Sequence, residues 1–204
     1  MGDGVRIDVR INVADVKRDL KRLQSDIQQR AIARALNRTM DQGQTQMVRA
    51  IASEFEIKQS EVRARLSIRR AREGYFGGLL TVDLFAFQNK RGRGFNLIRF
   101  VEKRVTLAEA KRRRKAGTLN QLGFRIKKGG GVKRITGAFI GNKGRTVFVR
   151  EGKERLPIKA VTTIDVPQMF NTRRINSKVV KYVKDKFPEV LAREVDYYVK
   201  RFGS

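Results

Sequence analysis

The sequence predicts an α+β fold: a long N-terminal helix, an antiparallel β-sheet of roughly four to six strands built as a meander of hairpins, and a C-terminal helix. Three observations carry this prediction. Apolar residues recur at helical spacing from Val16 to Ile51, alternate at period two through the middle of the chain, and return to helical spacing from Val179 to Phe202. At 204 residues the chain has room for one domain with a sizeable core. We read residues 1–204 as that domain, with a helical part at 13–66, a basic β-sheet part at 67–170 that includes a short helix at 107–116, and the C-terminal helix at 177–202.

Val5, Ile7, Val9 and Ile11 alternate as a short opening strand. The period then changes. Val16, Leu20, Leu23, Ile27, Ala31, Ala35, Met40, Met47 and Ile51 fall near one face of a helix that Asn12 or Asp15 would cap. From Ala14 to Ser53 the pattern predicts one long helix of about 60 Å, and Asp41, Gln42 and Gly43 mark where a break would fall. Ser60 caps a separate short helix through Leu66. Ile68, then Leu80, Val82, Leu84 and Ala86 alternating with Thr81, Asp83 and Phe85, predict half-buried strand. After a basic turn at Gln88 to Gly94, Phe95 to Val101 is the expected hairpin partner.

Thr106 and Glu109 form a capping box, and Gly117 stands where the short helix would end. Between them, Lys111 to Lys115 is too basic to enter a core. The glycines 129–131 separate two alternating arms, Phe124 to Lys127 and Val132 to Ile135, and so predict a hairpin. Asn142, Lys143 and Gly144 turn the chain before Val147 to Val149, and Glu151 to Arg155 turn it before Leu156 to Val161. In the last segment Val179, Val183, Phe187, Leu191, Val195, Tyr198 and Phe202 share a helical face. Pro188 costs about 3 kcal/mol inside a helix, so it either kinks this one or opens another.

Composition narrows the chemistry. With no cysteine and no histidine, disulfides, thiolate catalysis, thiolate metal sites and the commonest general base are all absent. The compact acidic pairs are Glu54 with Glu56, Glu151 with Glu154, and Asp185 with Glu189. Each has a basic neighbour and no apolar setting to shift its pKa, so the sequence names no catalytic, cofactor-binding or metal-ligating residue. No apolar run approaches the ~20 residues of a membrane span, and Met1 to Arg10 lacks an apolar signal core, so no membrane is expected and a cytoplasm is. The run Arg91 to Phe100 nearly reproduces the main strand of an RNA-recognition motif. Asn96 replaces its small residue and Leu97 a stacking aromatic, which leaves Phe95 and Phe100 as core or interface residues rather than base platforms.

Charge is the feature with physical force. Lysine and arginine number 47 against 20 acids, a net of +27. Residues 61–160 hold 27 basic and 7 acidic side chains, a net of +20, while the flanking segments are nearly balanced. Arg69, Arg70, Lys111, Arg112, Arg113, Arg114, Lys115, Lys127, Lys128, Lys133 and Arg134 are therefore the candidate contacts to nucleic acid or to an acidic protein partner. A free basic nucleic-acid-binding protein of ribosomal or nucleoid type satisfies the same arithmetic.

Several stretches, taken in order, distinguish these readings. They are Gly137-Ala138-Phe139-Ile140, Val147-Phe148-Val149-Arg150, Arg155-Leu156-Pro157-Ile158 and Val166-Pro167-Gln168-Met169-Phe170, preceded by Ala35-Leu36-Asn37-Arg38 and Arg63-Ala64-Arg65-Leu66. Together they resemble the minor tail protein Z family of lambda-like tailed phages, the tail completion proteins, over residues 31–203. Thr136 stands where that family would have proline, and Leu156 where an aromatic is common. The resemblance implies a structural virion protein and not an enzyme. It would complete the tail at its head-proximal end and join tail to head, against tail and neck proteins such as the terminator and the head–tail connector. It implies a homo-oligomer, a hexameric ring, contact with the genomic DNA through the basic surface, and residence in the virion tail or neck after assembly in the host cytoplasm.

Overall fold

The computed structural model describes residues 5–7, 25–72, 81–87, 94–102, 112, 115, 116, 121–152 and 154–202. The elements are β1 (Val5–Ile7), α1 (Ser25–Glu54), α2 (Gln59–Arg63), β2 (Leu66–Arg69), β3 (Asp83–Ala86), a 3-10 turn (Leu97–Phe100), β4 (Gln121–Phe124), β5 (Lys133–Thr136), β6 (Phe139–Gly141), β7 (Thr146–Arg150), β8 (Ile158–Ala160), α3 (Val166–Phe170) and α4 (Arg173–Phe202). This is the α+β class that the periodicity predicts. Two compact units form: Met1–Ala50 with Val62–Phe87 and Val166–Ser204, and Ile51–Glu61 with Gln88–Asp165.

In the first unit, α1 and α4 run antiparallel, because Arg34 meets Tyr198 while Gln42, further along, meets the earlier Tyr182. Ala31 and Ala35 bury their small faces against Phe187, Leu191, Val195 and Tyr198. The expected long helix is unbroken, and α1 runs through Gly43, where a break would have fallen. A Cβ at Gly43 would lie 2.8 Å from Val183 Cγ2, so the glycine admits the opposing helix rather than breaking its own. Pro188 lies inside one continuous α4 and starts no second helix. It forfeits one backbone bond, while Phe187, Val190 and Leu191 around it are all buried and hold the segment helical. Of the predicted apolar face only Phe202 is exposed.

β3 is the middle strand of a three-stranded antiparallel sheet, with Val5 opposite Ala86 on one side and Leu66 opposite Ala86 on the other. The α3 turn packs on β3 and buries Val166, Met169 and Phe170 completely. Asn37, on the exposed-to-buried boundary of α1, clamps Ala71 through both backbone groups: its Nδ2 donates to Ala71 O at 3.0 Å and its Oδ1 accepts from Ala71 N at 2.9 Å.

The second unit departs from the sequence expectation in two ways. Phe95 to Val101 is not the hairpin partner of β3. Asn96 Oδ1 accepts from Ile98 N at 3.0 Å and from Val147 N at 2.9 Å, which caps a 3-10 turn and ties it to β7. A local side-chain acceptor thus replaces the ladder that alternation suggested. The strands of this unit also form two small sheets among the described residues, β4-β5 and β6-β7-β8, rather than one meander. Gly94 is required here, since a Cβ on it would fall 1.7 Å from the carbonyl oxygen of Thr163.

The hairpins are where the glycines and Asn142 put them. β4 pairs with β5 around Gly129 to Gly131, with Phe124 opposite Lys133. Asn142 and Lys143 adopt φ of 50° and 54°, the paired left-handed residues of a tight β6–β7 turn. Phe95 and Phe100 are buried and meet edge to face at 6.5 Å, so they are core residues. The predicted strand residues 8–11, the first turns of the long helix before Ser25 and the capping box at Thr106 and Glu109 lie outside the described residues.

Gly43→Leu would favour an isolated helix, yet here it must force α1 and α4 apart, so it is expected to lower stability by about 1–3 kcal/mol. A denaturation midpoint unchanged or raised in that variant would contradict the close crossing.

Candidate functional site

The β4–β5 hairpin is held at its base by backbone bonds. Glu102 N donates to Gly123 O at 3.0 Å, Arg125 N to Phe100 O at 2.9 Å, Glu56 N to Ile126 O at 2.9 Å and Lys128 N to Glu54 O at 2.9 Å. Leu122 and Phe124 face inward and are buried. The cations divide between the two faces of the ribbon: Lys133, opposite Phe124, lies on the face of Leu122 and Phe124, and Arg134, opposite Gly123, lies on the other. Gln121 to Thr136 carries five basic and no acidic side chains, and Lys127, Lys128, Lys133 and Arg134 are exposed on it.

Ion pairing sorts the eleven candidate cations. Lys127 Nζ lies 3.9 Å from Glu54 and 5.8 Å from the centre of the Phe55 ring. Lys128, Lys133 and Arg134 have no carboxylate partner among the described residues. Arg69 and Arg70 sit in the other compact unit, where Arg69 reaches Asp83 at 3.8 Å and Arg70 grips Asp41 through both nitrogens at 2.8 and 3.1 Å. That hydrogen bond, and then the Asp41 charge, raise the Arg70 pKa. Arg112 and Lys115 are exposed at a helical turn closed by the Ala116 N to Arg112 O bond of 3.0 Å. Lys111, Arg113 and Arg114 lie outside the described residues. The structure thus gathers Lys127, Lys128, Lys133 and Arg134 on one hairpin, and Arg69 and Arg70 already serve their own carboxylates.

Among the described residues in and beside the β6–β7–β8 sheet, five further cations lie outside the basic runs, Arg150 of β7 among them, whose guanidinium is bonded to the Arg155 carbonyl. The other four, Lys143, Arg145, Arg155 and Lys159, are exposed and lack a carboxylate partner among the described residues. Their signal in the sequence is turn chemistry, since Lys143 and Arg145 bracket Gly144 in the tight hairpin.

Among the acids, Glu189 is bonded to Lys186 at 2.7 Å, and that hydrogen bond followed by the Lys186 charge holds its carboxyl below the usual value. Glu194 is the most buried of the carboxylates among the described residues, ahead of Asp165 and Asp83. It is only 2% exposed, and it spends one oxygen on Arg34 at 3.3 Å and the other on Arg38 at very short range. Its position, three residues after Leu191 and four before Tyr198, lies on the apolar stripe of α4 and was legible there. A carboxylate engaged at both oxygens by guanidinium groups serves as a structural partner across the two helices. Among the described residues no three histidine, cysteine, aspartate or glutamate side chains gather to hold a metal, and no helix is long and apolar enough to cross a membrane.

Buried acids that neutralise arginines, and a surplus of cations turned to solvent, define a protein that presents positive charge from a packed scaffold. The family model of prophage minor tail protein Z (GPZ) matches residues 13–204. The chain belongs to that family and is a structural protein of a phage tail. No curated protein and no solved structure matches the chain.

The ion-pair geometry makes an asymmetric prediction. Replacing Arg34 and Arg38 together with methionine strands the Glu194 carboxylate and is expected to cost about 3–5 kcal/mol, while Glu194→Gln leaves two half-exposed arginines that water can serve and costs roughly 1 kcal/mol. Equal losses in urea denaturation of the two variants would show that Glu194 is not the buried partner.

Proposed function

We propose that the chain completes the tail at its head-proximal end and joins tail to head as a hexameric ring, with the β4–β5 hairpin facing the genomic DNA. The observation that carries this reading is the uncompensated charge of Lys128, Lys133 and Arg134 on a hairpin whose base is fixed by backbone bonds. A phosphate backbone presents about one negative charge per 1.7 Å of duplex, so three cations on a short hairpin suit it without any base-reading group. Arg112 and Lys115 extend the same role, and tail and neck proteins are the neighbours that joining requires. Membership in a minor tail family supports this role over that of a free ribosomal or nucleoid factor.

A variant carrying Lys128→Gln, Lys133→Gln and Arg134→Gln is expected to keep its fold, each change shifting stability by no more than about 0.5 kcal/mol. Its duplex binding should lose about 0.9 in log–log salt slope per phosphate contact removed, whereas Arg70→Gln, already paired in the chain, should leave the slope unchanged. Equal slopes in all three proteins would remove the hairpin from the DNA path. Assembly in the absence of the chain should yield heads and tails that fail to join, and fully infectious particles made without it would overturn the tail-completion role.

A further inference from the structure

We infer that the outer edge of β8 docks an extended segment of another protein in which apolar and acidic residues alternate. β8 ends the sheet order β6-β7-β8. Its register sets Val149 opposite Lys159, and the bonds from Val161 N to Val147 O at 2.9 Å and from Glu151 N to Pro157 O at 3.2 Å turn the odd-numbered residues toward β7. Beyond the start of β7, the segment Phe95 to Leu97 takes over the same side. Leu97 N donates to Val161 O at 3.0 Å, and Thr163 N to Phe95 O at 2.8 Å. The backbone N–H and C=O groups of Ile158, Ala160 and Thr162 therefore face away from the sheet, and they have no partner among the described residues. An edge of this length is a ready template for one more strand.

The side chains say which strand. Arg150 opposite Ile158 and Phe148 opposite Ala160 put Ile158 and Ala160 on the face where Phe139 stacks on Phe148 at 5.9 Å. Ile158 is 39% exposed there, and Leu156, just before it, is 67% exposed. Lys159 emerges on the opposite face, and Arg155 stands in the preceding turn, neither with a carboxylate partner among the described residues. An added strand thus meets Ile158 and Leu156 on one face, where the Arg150 guanidinium is turned onto the Phe139 ring and the Arg155 carbonyl, and the charge of Lys159 on the other. Because side chains in a strand alternate at period two, the segment that satisfies both faces alternates apolar and acidic residues. A second copy of this chain is disfavoured by charge: each copy carries +27, and β6, the strand at the other edge, has no acid to offer Lys159. This surface is separate from the β4–β5 cations, and it names a protein contact that the DNA reading does not supply.

The test uses the full chain, a fluorescently labelled peptide of alternating valine and glutamate, and a valine–lysine peptide as the charge control. The valine–glutamate peptide should bind and slow hydrogen exchange at the Ile158, Ala160 and Thr162 amides. Ala160→Pro, which removes an outward donor, and Lys159→Glu, which alters only an exposed side chain, should each weaken binding about tenfold or more. Lys159→Glu should turn the preference toward the valine–lysine peptide, while duplex DNA binding in both variants stays near that of the unaltered chain. The inference is overturned if the peptide fails to bind, if it binds Lys159→Glu as tightly as the unaltered chain, or if protection falls on other amides. Protection of these amides by duplex DNA in place of the peptide would assign the edge to nucleic acid and overturn it equally.

Discussion

Scarcity of carboxylates is the constraint on which the structure turns. Twenty acids face forty-seven lysines and arginines, so wherever the fold spends an acid it decides which cations stay free. The first unit spends Glu194 on Arg34 and Arg38, Asp41 on Arg70 and Asp83 on Arg69. The second spends Glu61 on Arg99, Glu102 on Arg125 and Glu54 on Lys127. Most of these pairs are exposed on at least one side and add little stability individually. Their effect is to sort the cations. Lys128, Lys133 and Arg134 on the β4–β5 hairpin, and Lys143 and Arg145 in the β6–β7 turn, meet no carboxylate among the described residues.

The long helices were legible because their signal is local. Ala31, Ala35, Met47, Ile51, Val179, Val183, Phe187 and Leu191 lie on the buried stripes that a period of 3.6 demands. The β4–β5 and β6–β7 hairpins were legible for the same reason, since glycine and asparagine announce a turn without reference to distant residues. Illegible were the features decided by a partner far away in sequence. Gly43 signals helix breakage until Val183 is placed against it, and nothing in the alternation of β3 says that it pairs with Val5 to Ile7. Asn96 is a case between the two. Its capping of Ile98 is local, but its bond to Val147 is not, and the two together convert an apparent strand into a turn.

The candidate surface was legible as a count and illegible as an arrangement. Net charge by segment located the surplus in the middle of the chain, but it could not separate Arg70, whose guanidinium is bonded to Asp41, from Arg134, whose guanidinium meets no carboxylate among the described residues. Runs of arginine also drew attention away from single cations such as Lys159, whose significance lies in the strand it occupies rather than in its neighbours. The resemblance in Ala35-Leu36-Asn37-Arg38 acquires a physical basis in the fold. Ala35 allows α4 to approach, Asn37 clamps Ala71, and Arg38 neutralises Glu194.

The same surplus sets a condition on assembly. Copies of a chain at +27 repel one another, and contacts between exposed surfaces gain little against that repulsion unless counter-charge is brought in with them. Lys159 on an open strand edge is one means of excluding a like-charged copy while admitting an acidic segment, because a lysine that guards an edge against self-pairing is attractive to a strand of the opposite sign. In the ring proposed above, stability is gained as the cations are answered, by the acidic segment inferred at the β8 edge and by phosphate at the β4–β5 hairpin. Coupling ring closure to the arrival of polyanion and partner would give assembly an order, since the subunit alone in solution has every electrostatic reason to remain apart.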